Sequence, residues 1–231
     1  MSRTICELKG PKGAPKTKVI LKPPIQRLQS FWKRGRFYER DVLSYIHGHY
    51  QGGVFIDAGS NVGNHALFFA MYCQPSLVIS IEPVASYLEH QRENLALNGL
   101  GDKVHCFNVA LSDASGKGKM VKSRANPRAT TWQWHQMMHE LVEGEGPTVV
   151  TTLDELLPDV RGVTLLKIDV EGHELKALAG ATKLLQRERP ALFLEALTKK
   201  VGRGIAAFLQ QFGYGPGKRV YPRLYEFRAR E

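Results

Sequence analysis

Cysteine is scarce in this 231-residue chain: Cys6, Cys73 and Cys106 are scattered, and their spacing fits no metal-ligand pattern. That excludes a disulfide framework and a structural zinc site. A reducing compartment with no bound metal is the expectation. Long apolar runs are also missing, and none approaches the roughly 20 residues needed to span a bilayer. The first residues carry no apolar core of the secretory kind, so a cytoplasmic protein is expected. There is no internal repeat. What remains is a hydrophobic fraction of 43%, enough for one domain to bury a full core.

Charge is unevenly placed. The net charge is +10, yet residues 1–40 carry eleven Lys and Arg against Glu7 and Glu39, and residues 199–231 carry eight against Glu226 and Glu231. The middle is therefore acidic, a body with two basic ends. Such ends either attract a polyanion, nucleic acid included, or act as solvated tails. Residues 1–24 are rich in Lys, Pro and Gly with little periodicity, and read as a poorly ordered or loosely packed arm. We divide the chain into a basic extension at 1–38 and one domain at 39–231.

The most informative stretch is residues 54–65, where an apolar run ends in Asp57 and a glycine-punctuated turn leads into a helix-forming run. A dinucleotide fingerprint needs G-x-G-x-x-G, so that backbone amides approach a pyrophosphate. Here the pattern is D-x-G-x-N-x-G, with Asn61 where the middle glycine would stand. An acid at this strand end repels phosphate but suits a cationic or hydroxyl-bearing ligand. S-adenosylmethionine (SAM) has an ammonium, a sulfonium and a ribose, and no phosphate.

Strands and helices then alternate. Strands are predicted at 54–57, 77–82, 104–109, 165–169 and 191–195, with helices at 39–50, 85–98 and 172–187. Leu175, Leu178 and Leu185 lie on the apolar stripe of the last helix. Residues 213–220 and 223–228 supply a closing strand pair. This alternation implies a mostly parallel sheet with helices on both faces. Residues 116–150 interrupt it with an insertion containing Trp132, Trp134, His135 and His139, a candidate substrate loop.

Acids end four of the strands: Asp57, Glu82, Asp169 and Glu195. In a doubly wound sheet these tips open on one edge, so the carboxylates converge on one crevice. Glu82 stands where an acid binds ribose hydroxyls in such folds, a job that needs two acceptor oxygens; the plain alternative is a cap on the turn at Pro83. Asn108 is placed to hold an adenine edge, with Val109 and Ala110 against the ring and Asp113 supporting the loop. The run from Lys167 to Glu174 packs Asp169, Glu171 and His173 at one strand end. A carboxylate or imidazole there can take the proton of an attacking hydroxyl. Lys167 pairs with a neighbouring acid.

Six motifs occur in order: Asp57-Ala58-Gly59-Ser60-Asn61-Val62-Gly63, Ile81-Glu82-Pro83, Asn108 to Asp113, Thr152-Leu153-Asp154-Glu155-Leu156, Lys167 to Glu174, and Arg189-Pro190 leading to Glu195. Over roughly residues 52–198 they resemble the FkbM-type SAM-dependent methyltransferases. The resemblance implies a class I methyltransferase fold, a Rossmann-like α/β architecture. Its seven-stranded, doubly wound sheet is mostly parallel, with an antiparallel last strand. It places SAM across the Asp57 and Glu82 strand ends. The expected donor site comprises Asp57, Gly59, Asn61, Gly63 and Asn64 in the turn, with Glu82, Pro83, Asn108, Val109 and Ala110 beyond it. The expected catalytic residues are Asp169, Glu171 and His173. His65 either contacts the donor or only starts the helix. Members typically methylate oxygen, often a sugar or polyketide hydroxyl, so a glycan or small hydroxylated acceptor is expected. An RNA ribose 2′-hydroxyl, reached through the basic ends with Phe31, Trp32, Phe37 and Tyr38, is the alternative acceptor. A silent partner-binding module is the alternative from another class.

Overall fold

The computed structural model describes residues 4–22, 27–122 and 139–230. Its central sheet is built from β3 (Val54–Ala58), β4 (Leu77–Ile81), β5 (Val104–Phe107), β10 (Val163–Ile168), β11 (Ala191–Glu195), β12 (Lys218–Tyr221) and β13 (Leu224–Phe227). Their order is β12-β13-β11-β10-β3-β4-β5. Neighbours from β11 through β5 run parallel, while β13 is antiparallel to both β11 and β12. The expected seven-stranded sheet is present, with its antiparallel last strand. The chain lays down β3, β4 and β5 in one direction, then returns to place β10 on the other side of β3. That reversal opens a crevice beyond the β3 and β10 tips.

Period-two alternation decides which helices cover which face. Phe55, Val78, Leu165 and Phe193 point to one side, against α2 (Arg40–His49), α3 (Asn64–Tyr72) and α4 (Ala85–Leu97). Ile56, Ile79, Leu166, Leu192 and Leu194 point to the other. There they meet α5 (Leu153–Leu156), α6 (Glu174–Ala179), α7 (Thr182–Glu188) and α8 (Lys199–Gln210). Both faces are therefore apolar, and the strands read as continuous hydrophobic runs. Among the described residues no helix is long and apolar enough to cross a membrane.

Several local expectations are corrected. The single helix expected at 172–187 is two, because Gly180 lies where a Cβ would meet the Ser112 carbonyl oxygen at 2.1 Å. Asp154, from α5, then caps α7 by accepting from the Lys183 and Leu184 amides, each at 2.9 Å. Leu175, expected on the buried stripe, is exposed. The strand expected at 104–109 stops at Phe107. The Asn108 side chain donates to the Glu82 and Pro83 carbonyls and draws the chain out of the sheet. The chain next forms β6 (Ala110–Leu111), and with it the insertion builds a separate sheet of order β6-β9-β7-β8. The added strands are β7 (Gly116–Lys122), β8 (His139–Glu143) and β9 (Thr148–Thr151). Trp132, Trp134 and His135 lie outside the described residues.

The arm expected to be loose is packed. β1 (Thr4–Leu8) and β2 (Thr17–Leu21) form an antiparallel hairpin, followed by α1 (Arg27–Lys33). Leu8, Val19, Trp32 and Phe37 are fully buried in the α3–α4 core. The free edge of β2 is closed by α4 side chains. The Ile20 amide donates to Asn94 Oδ1 at 2.7 Å and the Lys18 amide to Asn98 Oδ1 at 2.8 Å, while His90 meets the Ile20 carbonyl at 2.7 Å. Lysine-rich composition hid a strand whose alternate residues are apolar. Truncating Trp32 to Ala should therefore lower the unfolding free energy by about 3–5 kcal/mol in urea titrations. A loss below about 0.5 kcal/mol would mean the segment is attached only loosely.

Candidate active site

The β3–α3 turn forms the floor of the crevice. Gly59, Asn61 and Gly63 all have positive φ, at 77°, 52° and 88°. Asn61 occupies a left-handed position that asparagine tolerates, which is why no glycine is needed there. Gly59 is obligatory for a different reason: a Cβ would lie 1.8 Å from the Asp169 carbonyl oxygen of the adjoining strand tip. The five amides of this turn already have acceptors within the protein. Gly59 and Ser60 donate to the Ile81 carbonyl, Asn61 to Glu82 Oε2, Val62 to Asn61 Oδ1 and Gly63 to the Ser60 carbonyl. A pyrophosphate would find no array of free N–H groups to cradle it.

Lys167, deep in the lining of the cleft, is 2% exposed. Its Nζ lies 3.4 Å from Asp57 Oδ1 and 3.2 Å from Asp169 Oδ2. Burial works to neutralise this ammonium, but the charges of Asp169, Asp57 and Glu39 outweigh it and raise its pKa. Asp57 is fully buried and lies behind the lining, so the acid expected to face a cationic ligand faces Lys167 instead. Two other expected contacts also lie behind the lining. Gly63 packs on Gln91, and Asn108 braces the Glu82–Pro83 loop.

The lining brings together Gly59, Asn61, Asn64, Glu82, Pro83, Val109, Ala110, Asp169, Glu171 and His173, all expected from sequence. It adds Leu28, Glu39, Tyr87 and Arg223, which sequence reasoning did not assign to the site, Tyr38, named from sequence only for an RNA acceptor, and Met120, His139 and Leu141 from the expected substrate loop. Asn64 lines the cleft, but its amide is committed: Oδ1 accepts from Trp32 Nε1 at 3.1 Å and from the Tyr38 amide at 3.0 Å, and Nδ2 donates to the Tyr38 carbonyl. It anchors the N-terminal segment to the turn. His65, left open from sequence, lines the cleft with Nε2 3.3 Å from Glu39 Oε2.

The carboxyls around this cleft are pushed far apart in acidity. Burial raises Glu82 to about 7, although the Val84 and Asn61 amides donate to it. Burial, then the charges of Asp169 and Glu174, raises Glu171 to about 8. Burial and the charges of Asp169 and Glu171 raise Glu195 to about 10. Asp169 goes the other way. Burial opposes its charge, but Lys167 and a hydrogen bond from Glu195 prevail and lower it. At neutral pH the Asp169–Glu195 pair therefore shares one proton. Glu171 has φ 55°, and its buried Oε2 has no hydrogen-bond partner among the described residues.

His173 is engaged elsewhere. Its Nε2 is 3.3 Å from Glu143 Oε1 and 3.2 Å from Ser112 Oγ. Glu143 belongs to the insertion sheet and also binds Lys176; with Ser112 and His173, that ammonium holds its carboxyl down at about 2. His173 thus ties the inserted sheet, whose Met120, His139 and Leu141 line the cleft, to the start of α6.

Residues 57–215 match the Methyltransferase FkbM domain. The hexuronic acid methyltransferase AglP of Haloferax volcanii is 29% identical over 168 residues, covering 70% of this chain and 64% of that protein. Among solved structures, methyltransferase FkbM from Methylobacillus flagellatus KT superposes with a TM-score of 0.57 at 16% identity, over 81% of this chain and 47% of that one. SMU.1697c from Streptococcus mutans, solved in complex with SAH, gives 0.51 at 11% identity, over 83% and 99%. At these identities the structural likeness speaks for the fold. The chain spans under two thirds of the Haloferax protein's length and under half of the Methylobacillus chain's.

Replacing Lys167 with Met leaves two carboxylates crowded at the strand tips without their cation. Stability at pH 7 should fall by about 3–5 kcal/mol, the usual cost of breaking a buried pair. Asp169 is depressed in the folded state, so its share of the stability is present above the ordinary carboxylate range and lost as pH falls through its lowered value. The gap between wild type and variant should accordingly narrow in acid. Urea titrations at pH 7 and below the ordinary carboxylate range measure this, and a gap independent of pH would contradict the pairing.

Proposed function

The chain belongs to the FkbM methyltransferase domain family, and we propose that it transfers a methyl group from SAM to a hydroxyl oxygen of a sugar, a glycan or a small natural product. The observation that carries this reading is the character of the cleft. Its turn amides are already committed, so phosphate is not catered for, while buried carboxyls with raised pKa line the walls and favour a cation. A ligand with a sulfonium, an ammonium and a ribose suits that environment. Glu82 at the β4 tip is the ribose acceptor in this reading, and Val109 and Ala110 give the adenine an apolar wall. The hexuronic acid acted on by the Haloferax relative supports a carbohydrate acceptor.

When bound, the donor supplies a methyl group activated by positively charged sulfur. The share of the protein is position, charge and one proton. Holding both reactants in one cleft removes the entropic part of the barrier, several kcal/mol and roughly 7–11 at most. Of the three residues expected to be catalytic, Glu171 is the best proton acceptor: its Oε2 is buried and without a partner among the described residues, and its pKa is raised to about 8. Asp169, fixed between Lys167 and Glu195, orients the hydroxyl by accepting a hydrogen bond. His173 positions the inserted wall through Glu143.

Only the ionised Glu171 accepts a proton, so turnover should rise with pH toward about 8 and level off above it. A cationic donor shifts this limb downward. Glu171→Gln should lower kcat by about 10²–10⁴-fold and remove the ascending limb. Labelled-methyl transfer into glycan, small-molecule and RNA fractions measures both rate and acceptor class. Wild-type turnover with an unchanged pH profile would rule out Glu171 as the base, and label confined to RNA would replace the acceptor.

A further inference from the structure

With Leu28 and Tyr38, Glu39 brings the N-terminal segment to the cleft, and it precedes the matched family span. It stands at the N-cap of α2 with φ 54° and ψ 41°, a left-handed conformation that glycine or asparagine fills at lower cost. An acid at an N-cap ordinarily turns back to accept from the first-turn amides. The carboxylate of Glu39 makes no such cap bond. It lies on the cleft lining, mostly buried, with Oε2 3.3 Å from His65 Nε2. Strain of this kind, with a charged side chain aimed into a cleft, points from an outlier to a function.

The other acids of the site have work already. Asp57 lies under Lys167, Glu82 accepts two backbone amides, Asp169 is held by Lys167 and Glu195, and Glu171 is the proton acceptor of the reading above. The donor sulfur carries three arms. With the ribose at Glu82 and the methyl toward Asp169 and Glu171, two walls are left for the third arm, which ends in an ammonium and a carboxylate. The inserted sheet offers Met120, His139 and Leu141, whereas the α2 start and the first turn of α3 offer the Glu39 carboxylate beside His65, which suits an ammonium. We infer that the Glu39 carboxylate binds the ammonium of the methionine arm of the donor, with His65 Nε2 beside that carboxylate at 3.3 Å. This rests on the methyl-donor reading above and assigns a contact to a residue outside the strand-tip motifs that carry the sequence resemblance.

Calorimetry with two ligands tests it. S-adenosylhomocysteine keeps the ammonium, whereas 5′-methylthioadenosine has the same adenosine and sulfur but no amino-acid arm. Glu39→Gln should weaken S-adenosylhomocysteine about 10- to 100-fold, the range for a charge-assisted hydrogen bond, and leave methylthioadenosine within about twofold. Retained methylthioadenosine binding also shows that the variant is folded. Equal weakening of both ligands would assign Glu39 a structural role and overturn the inference, as would undiminished binding of S-adenosylhomocysteine. If the wild-type protein bound neither ligand, the donor reading itself would fall, and the Glu39 assignment with it.

Discussion

Lys167 and Asp57 face each other in register across the β3–β10 pairing, at the seam where the strand order reverses. An ammonium buried there would be prohibitive without partners, and two carboxylates so close would repel without a cation. Each group makes the other tenable. Asp169 completes the arrangement from the next turn of chain, and the whole cleft inherits its electrostatics from this triad. The carboxyls of Glu82, Glu171 and Glu195 are raised by burial first and by the charge of Asp169 as well, and at Glu171 the cations of Lys167 and Arg223 offset this only in part.

The second constraint is steric. β3 and β10 approach so closely that Gly59 admits no side chain against the Asp169 carbonyl, which fixes the turn below the ligand space. Walls are then supplied from two places far apart in sequence. The N-terminal segment is pinned by Trp32 and Tyr38 on Asn64, and it delivers Glu39. The inserted sheet is pinned by Glu143 on His173 and Lys176, and it delivers Met120, His139 and Leu141. A shared strand-tip floor with added walls allows a family to change acceptor without changing the donor site.

Much of this was legible in the sequence because it is local. Strand runs that end in an acid and a glycine-rich turn at Asp57 identify the sheet, its switch point and the lining carboxyls. What the sequence hid depends on which way a side chain points. Asp57 and Asp169 both end apolar runs, yet only one of them reaches the cleft, because Lys167 sits across the pairing from Asp57. Asn64 and Asn108 carry the amide chemistry a ligand contact needs, but both serve backbone groups a few ångströms away. Glu39 gave no signal, since it reads as the first residue of the expected helix at 39–50. The hairpin at residues 4–21 was masked by lysines whose charged ends remain in solvent while Leu8, Val19 and Leu21 alternate inward. The break at Gly180 depends on Ser112 and Asp154, tens of residues away in the chain.

The central claim is that carboxyls kept partly protonated by burial wait for a cation. At pH 7 the groups raised to about 7 at Glu82 and about 8 at Glu171 hold protons that the positive charge of a bound sulfonium should expel. Titrating SAM into the protein calorimetrically, in buffers of different ionisation enthalpy, counts those protons. The account predicts net release on binding, and less release with S-adenosylhomocysteine, whose sulfur is uncharged. Heats that do not depend on the buffer, or net proton uptake, would contradict it.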